Sequence, residues 1–162
     1  MRITLRRGKS DDWQVIDSVD FAKEHELQDL LHESPSLIPL GQIAPGTPTP
    51  VFAVAELGLP GSGNTDIVAF SEDGSISIVE CKLAKNAEIR RKVIGQILEY
   101  AAFLWEMSYE ELDERVQRQA DGPLAEMIAE TVADEDWDEE AFRHAIGSNL
   151  REGQFILRLS RV

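Results

Sequence analysis

Asp66, Glu80 and Lys82 have residue types and spacing suited to phosphate chemistry. Asp66 and Glu80 flank a turn containing Asp73-Gly74, and Asp-Gly between two apolar runs is a hairpin signal. If the loop is Glu72-Asp73-Gly74, with Gly74 left-handed, Ser71 pairs with Ser75. Counting back along both strands then sets Asp66 opposite Glu80. A two-residue loop would shift the register and part them onto opposite faces. In the three-residue register, Asp66, Val68 and Phe70 share a face with Ile76, Ile78, Glu80 and Lys82. Ile67, Ala69, Val79 and Cys81 line the other face. Both faces are largely apolar, so these strands belong at the centre of a sheet. Carboxylates directly across an antiparallel ladder repel each other, and burial adds to the cost. Lys82 on the same face offsets part of it, and a hard divalent cation with oxygen ligands would offset more. A buried Asp–Glu–Lys network without chemistry is the competing reading, although such networks stabilise poorly by themselves.

The elements that must position these residues follow from periodicity and punctuation. Phe21 to Glu33 reads as a helix with Asp20 as its cap, ended by Ser34-Pro35. Leu37 to Pro50 holds four prolines and reads as an ordered loop. Strands are expected at Val51–Glu56, Thr65–Phe70 and Ser75–Leu83, with a loop from Gly58 to Asn64 between the first two. Asn86 reads as the cap of a long helix reaching Met107. Ser108 and Glu111 have the spacing of a capping box. Gly122-Pro123 breaks the chain before a helix near Leu124–Val132. A further helix over Asp138–Leu150 and a last strand over Gln154–Arg161 complete the order. Helix, three strands and helices followed by a strand imply an α/β sandwich around a mixed sheet. Gly61-Ser62-Gly63 reads as a flexible loop, His25 and His32 as surface or boundary residues, and Trp105 and Trp137 as packing residues. Cys81 alternates away from Glu80 and Lys82, and reads as a small core residue.

Thr65-Asp66 followed by Glu80-Cys81-Lys82 resembles the D…ExK signature of the PD-(D/E)XK nuclease superfamily. Glu26, in the helix Glu26-Leu27-Gln28-Asp29-Leu30-Leu31, resembles the helix glutamate of the NucS-type branch. Gln96-Ile97-Leu98-Glu99-Tyr100 resembles the QxxxY motif of RecB-type nuclease domains. The likeness spans about Phe21 to Trp105; Thr65 departs from it, standing where the family name has proline. It implies a restriction-endonuclease-like three-layer sandwich with a central mixed β-sheet flanked by helices. One domain over 1–162 is expected, with its core at about 18–107 and a helical and strand extension at about 108–162. By the same resemblance Asp66, Glu80 and Glu26 hold Mg²⁺ or Mn²⁺, and the Cys81 carbonyl can add a ligand. Lys82 orients or deprotonates the attacking water, or stabilises negative charge. Gln96 and Tyr100, four apart on one helical face, steady the site or touch the nucleic-acid backbone. The alternative for that pair is a boundary hydrogen bond and a core tyrosine. Arg90 and Arg91, with Lys92, either meet phosphates or serve as solubilising charges.

The implied activity is metal-dependent hydrolysis of phosphodiester bonds, in DNA ahead of RNA, for repair, restriction or defence. The net charge of −14 argues against a protein that coats nucleic acid broadly. Cations nevertheless gather at Lys82, Lys85 and Arg90–Lys92, while acid gathers in Glu106–Glu114 and Ala133–Glu140. The second reading is therefore a catalytically silent nuclease-fold module that docks a protein partner on its acidic surface. Double-strand cutting would call for a homodimer. No apolar run reaches membrane-spanning length, and the polar, basic start lacks a signal-peptide core, so no membrane and a cytoplasmic location are expected. One cysteine excludes an intrachain disulfide and a multi-cysteine zinc site.

Overall fold

The computed structural model describes residues 3–6, 13–16, 21–43, 45–59, 63–82 and 89–161. Asp20, Asn86, Lys85 and Gly61-Ser62 lie outside them. The elements are β1 (Ile3–Arg6), β2 (Trp13–Ile16), α1 (Glu24–Glu33), β3 (Pro50–Ala55), β4 (Gly58–Leu59), β5 (Gly63–Asn64), β6 (Ile67–Ser71) and β7 (Ile76–Lys82). There follow α2 (Ile89–Leu104), α3 (Tyr109–Val116), α4 (Leu124–Val132), α5 (Glu139–Glu152) and β8 (Phe155–Arg161). Two short 3₁₀ turns, Pro35–Leu37 and Leu40–Gln42, organise the proline-rich loop after α1.

Backbone chemistry sets the boundaries. Ser108 accepts from the Glu111 amide while Glu111 accepts from the Ser108 amide, so α3 starts on the expected capping box. Asp138 caps α5 by accepting from the Ala141 amide, and Gly153 in the left-handed conformation ends it. Helix α1 begins at Glu24, three residues later than its periodicity suggests, and Lys23 at its cap offers no side-chain bond. Helix α2 stops at Leu104, short of Met107, because Glu106 turns left-handed at φ 66°. The β1–β2 pair, Ile3 against Ile16 through Arg6 against Trp13, was not foreseen. β1 alternates apolar and polar residues over only four positions, and β2 breaks the alternation at Val15-Ile16.

The main sheet runs β3-β6-β7-β8, antiparallel between the first three strands and parallel between β7 and β8. The β6–β7 register pairs Ile67 with Val79 and Phe70 with Ile76, which is the three-residue-loop alternative. Ser71 N–H donates to the Ser75 carbonyl at 3.1 Å, and Gly74 sits at φ 83°. Asp73 fixes the turn by accepting from the Ser75 amide at 2.9 Å. Gly74 is needed twice over. An added Cβ would also lie 2.7 Å from Ala145 Cβ on α5, where Asn149 Nδ2 donates to the Gly74 carbonyl at 2.8 Å.

Helices cover both sheet faces. Val68, Phe70, Ile76 and Ile78 pack with Tyr100, Leu104, Leu112, Leu124, Ile128, Phe142 and Ile146 in the larger core. Ile67, Ala69, Val79 and Cys81 pack with Leu27, Leu31, Ile38 and Leu40 in the smaller one. Every residue of β6 is buried, which explains its apolar run Ile67–Phe70. Each large aliphatic side chain so buried contributes roughly 1.5–3 kcal/mol. The residues expected as a carboxy-terminal extension are integral to this arrangement. Helices α3–α5 supply much of the larger core, and β8 is a main-sheet strand. No helix among the described residues is long and apolar enough to cross a membrane.

Candidate active site

At the ends of β6 and β7, four charged side chains converge. Lys82 Nζ lies 2.8 Å from Glu80 Oε1, 3.4 Å from Glu24 Oε2 and 3.7 Å from Asp66 Oδ2. Glu80 forms the floor, with no exposed side-chain surface, and Glu24 forms the rim at 44 %. Three carboxylates around one ammonium leave a formal surplus of two negative charges. Glu80 Oε2 is buried and has no hydrogen-bond partner among the described residues. Burial pushes the Glu80 carboxyl above its ordinary value, Lys82 pulls it back, and Asp66 raises it further. Burial alone would lower the affinity of Lys82 for its proton. Its bond to Glu80 and the charges of Asp66 and Glu24 outweigh that and hold the ammonium well above its ordinary value.

Asp66 is held from several directions. Its Oδ2 accepts from the Cys81 amide at 2.7 Å. Its carbonyl accepts from the Glu56 amide at 3.1 Å and from Gln28 Nε2 at 3.0 Å. One residue earlier, Thr65 N–H donates to the Leu57 carbonyl at 3.1 Å. Tyr100, 2 % exposed, donates from its hydroxyl to the Asn64 carbonyl at 2.8 Å, and Gln96 Nε2 donates to that hydroxyl. The Gln96–Tyr100 pair is a hydrogen bond onto a core tyrosine, whose hydroxyl in turn holds the backbone two residues before Asp66. Burial raises the Tyr100 phenol, with the Gln96 bond opposing. Beside Asp66, the Cys81 thiol is 1 % exposed and pushed up to about 12 by burial and by the Asp66 and Glu80 charges. It is an inert core group rather than a nucleophile.

Glu26 does not reach this cluster. It is exposed, and its carboxylate accepts from the Ala22 amide at 2.9 Å, closing the start of α1. The stripe Ala22-Glu26-Leu30 is the solvent side, with Leu30 38 % exposed. The buried stripe is Leu27, Gln28 and Leu31, and Glu24 precedes it by three and four residues on the same side. Glu24 therefore supplies the helix carboxylate, and Gln28 becomes a positioning group for Asp66. The apolar spacing of Leu27 and Leu31 was the signal for both. Arg91 is exposed, on the flank of α2 away from Gln96 and Tyr100; of Arg90, the structure describes only its place in the helix. His25 pairs with Asp29 on the surface at 3.4 Å, as expected of a surface histidine. Trp137 packs on Phe142, whereas Trp105 keeps 54 % of its surface exposed.

The donor set is chemically apt for a hard cation: hydrogen-bonded Asp66, buried Glu80 with an orphaned oxygen, and a nearby third carboxylate. The geometry is less apt, because the carboxylates point at Lys82 Nζ. Among the described residues no group of three or more metal-binding side chains is arranged around a common point. Comparison with known proteins returns no family model, no curated protein and no solved structure that matches this chain.

Proposed function

We propose that this chain is a restriction-endonuclease-like, metal-dependent phosphodiesterase acting on nucleic acid, DNA ahead of RNA. The observation that carries the reading is the fully buried Glu80 carboxylate with one orphaned oxygen, set beside Asp66 and Lys82. A fold has no stability reason to keep such a group, because a buried charge short of partners is costly. Asp66 and Glu80 would hold Mg²⁺ or Mn²⁺, with Glu24 at the rim. When bound, the cation would neutralise phosphate charge and acidify a water molecule. The chain's own contribution is positional. The Cys81 amide fixes the Asp66 carboxylate, Gln28 and Tyr100 tether the backbone that carries it, and the larger core excludes water from Glu80. Lys82 Nζ donates towards negative charge developing at the mouth of the site.

A second reading is favoured by one specific observation. Lys82 already stands among all three carboxylates, as an internal counter-ion would. In that case the chain is a silent module that binds a protein partner through its acidic surface. Labelled single-stranded, double-stranded and branched DNA, incubated with the protein and Mn²⁺ or Mg²⁺, separates the two. Cleavage that requires metal and disappears in Lys82→Ala and Asp66→Asn supports the phosphodiesterase. Absence of cleavage, together with no thermal stabilisation of the parent by either cation, overturns it.

A further inference from the structure

Helix α2 is apolar on two faces. Val93, Ile97, Tyr100 and Leu104 are buried at steps of four and three residues. One position further round, Ile94, Leu98 and Trp105 are each 54 % exposed. Arg91 and half-buried Ala101 complete a seam, Arg91-Ile94-Leu98-Ala101-Trp105, whose steps alternate three and four. That is the spacing with which one helix meets another along its length. Large apolar side chains aligned on one ridge of a water-facing helix mark an interaction surface.

Two details show that the ridge is built for contact. Trp105 is anchored, its Nε1 donating to the Arg151 carbonyl at 3.0 Å and its ring lying against Gly153. A fixed, half-exposed tryptophan loses little freedom on binding. Gly95 flanks the seam, and an added Cβ there would meet nothing within 4 Å. Packing within the chain therefore does not require glycine at this position, although glycine destabilises a helix interior relative to alanine. A second helix approaching closely would require it.

The charges on the seam select the occupant. Its beginning is cationic, with Arg91 exposed, and its end is anionic, with Glu106 exposed beyond Trp105. We propose that α2 packs antiparallel against α2 of a second copy of this chain, with Leu98 on the two-fold axis. Arg91 of each copy then meets Trp105 and Glu106 of the other, joining a cation–π contact to an ion pair. Parallel packing would set Arg91 against Arg91. Each copy carries a net charge of −14, so faces lacking a basic end repel their like, whereas this one is self-complementary. A 16-residue helix presents a ridge of roughly 24 Å, short for a permanent interface. Association through it is therefore weak and reversible. Dimerisation through α2 requires no hydrolytic activity, and the seam lies on the flank of α2 away from Gln96 and Tyr100.

Sedimentation velocity on the whole chain, from about 1 µM to about 500 µM, tests the proposal. The expected result is a shift from monomer to dimer across that range. Leu98→Glu should remain monomeric throughout with an unchanged melting temperature, since the position is exposed. Arg91→Glu should weaken the dimer about tenfold or more, and adding Glu106→Arg should restore it. Leu98→Cys should form an intermolecular disulfide on oxidation, with buried Cys81 not competing. A chain that stays monomeric at every concentration, a dimer that survives Leu98→Glu, or a Leu98→Cys protein that does not cross-link overturns it.

Discussion

Lys82 and Glu80 form one ion pair, yet losing either partner should have very different consequences. Lys82→Met removes the only cation the structure brings to Glu80 among the described residues and leaves that carboxylate fully buried, facing Asp66. Breaking a buried pair from one side costs about 3–5 kcal/mol. The lower end applies here, because Lys82 is 19 % exposed and water can enter the space its ammonium leaves. For a chain of 162 residues, about 3 kcal/mol corresponds to a fall in melting temperature of about 6–12 °C. Glu80→Gln keeps the shape and removes the charge, while Lys82 retains Glu24 at 3.4 Å and Asp66 at 3.7 Å. Its expected cost is smaller than that of Lys82→Met, because the buried charge itself is removed and the ammonium keeps two carboxylates. The double variant should recover about 2 kcal/mol of the Lys82→Met loss, because no buried charge then lacks a partner. Thermal and urea denaturation near neutral pH, with a chelator present, measures all four proteins. A Lys82→Met protein within 1 kcal/mol of the parent, or a Glu80→Gln protein equally damaged, would refute the assignment of Lys82 as the counter-ion of a buried carboxylate.

Three further outcomes follow from local geometry. Gly74→Ala forces a Cβ into a left-handed turn and to within 2.7 Å of Ala145 Cβ, and should cost about 2–4 kcal/mol by urea denaturation. Ala133, left-handed at φ 51° where α4 ends, should gain about 0.5–1 kcal/mol on replacement by glycine, by the same assay. The Ser108 backbone amide and hydroxyl both donate to Glu111 and hold its carboxyl below its ordinary value of 4.5. Its contribution to stability is therefore complete above that value and lost as pH falls through the lower folded one. Glu111→Gln should accordingly be less stable than the parent at neutral pH and converge on it as pH falls below the lowered folded value, read from denaturation midpoints across pH.

The sequence by itself determined what short-range chemistry controls. The Asp73-Gly74 turn allows few loop geometries, and the apolar alternation on both sides penalises a slip by one residue, so the sequence narrowed the β6–β7 register to two loop lengths; the ladder that forms ends at Ile67–Val79, and Asp66 lies just beyond it. The Ser108–Glu111 capping box, the Gly122-Pro123 break and the buried Cys81 are local in the same sense. Only the tertiary structure decided which helix carboxylate arrives at the site. Leu27, Leu30 and Leu31 permit two neighbouring apolar stripes on α1, and the stripe that faces the sheet depends on how the helix docks. Docking on Leu27 and Leu31 brings Glu24 and Gln28 inward and leaves Glu26 in water. The same holds for β8: its alternation announces a strand, but periodicity names a face and never a neighbour. That it lies parallel beside β7, making α3–α5 part of the core, depends on contacts between residues far apart in the chain. The exposure of Trp105 has the same origin, since an apolar residue on a helix reads as core until the packed sheet and helices leave one ridge uncovered.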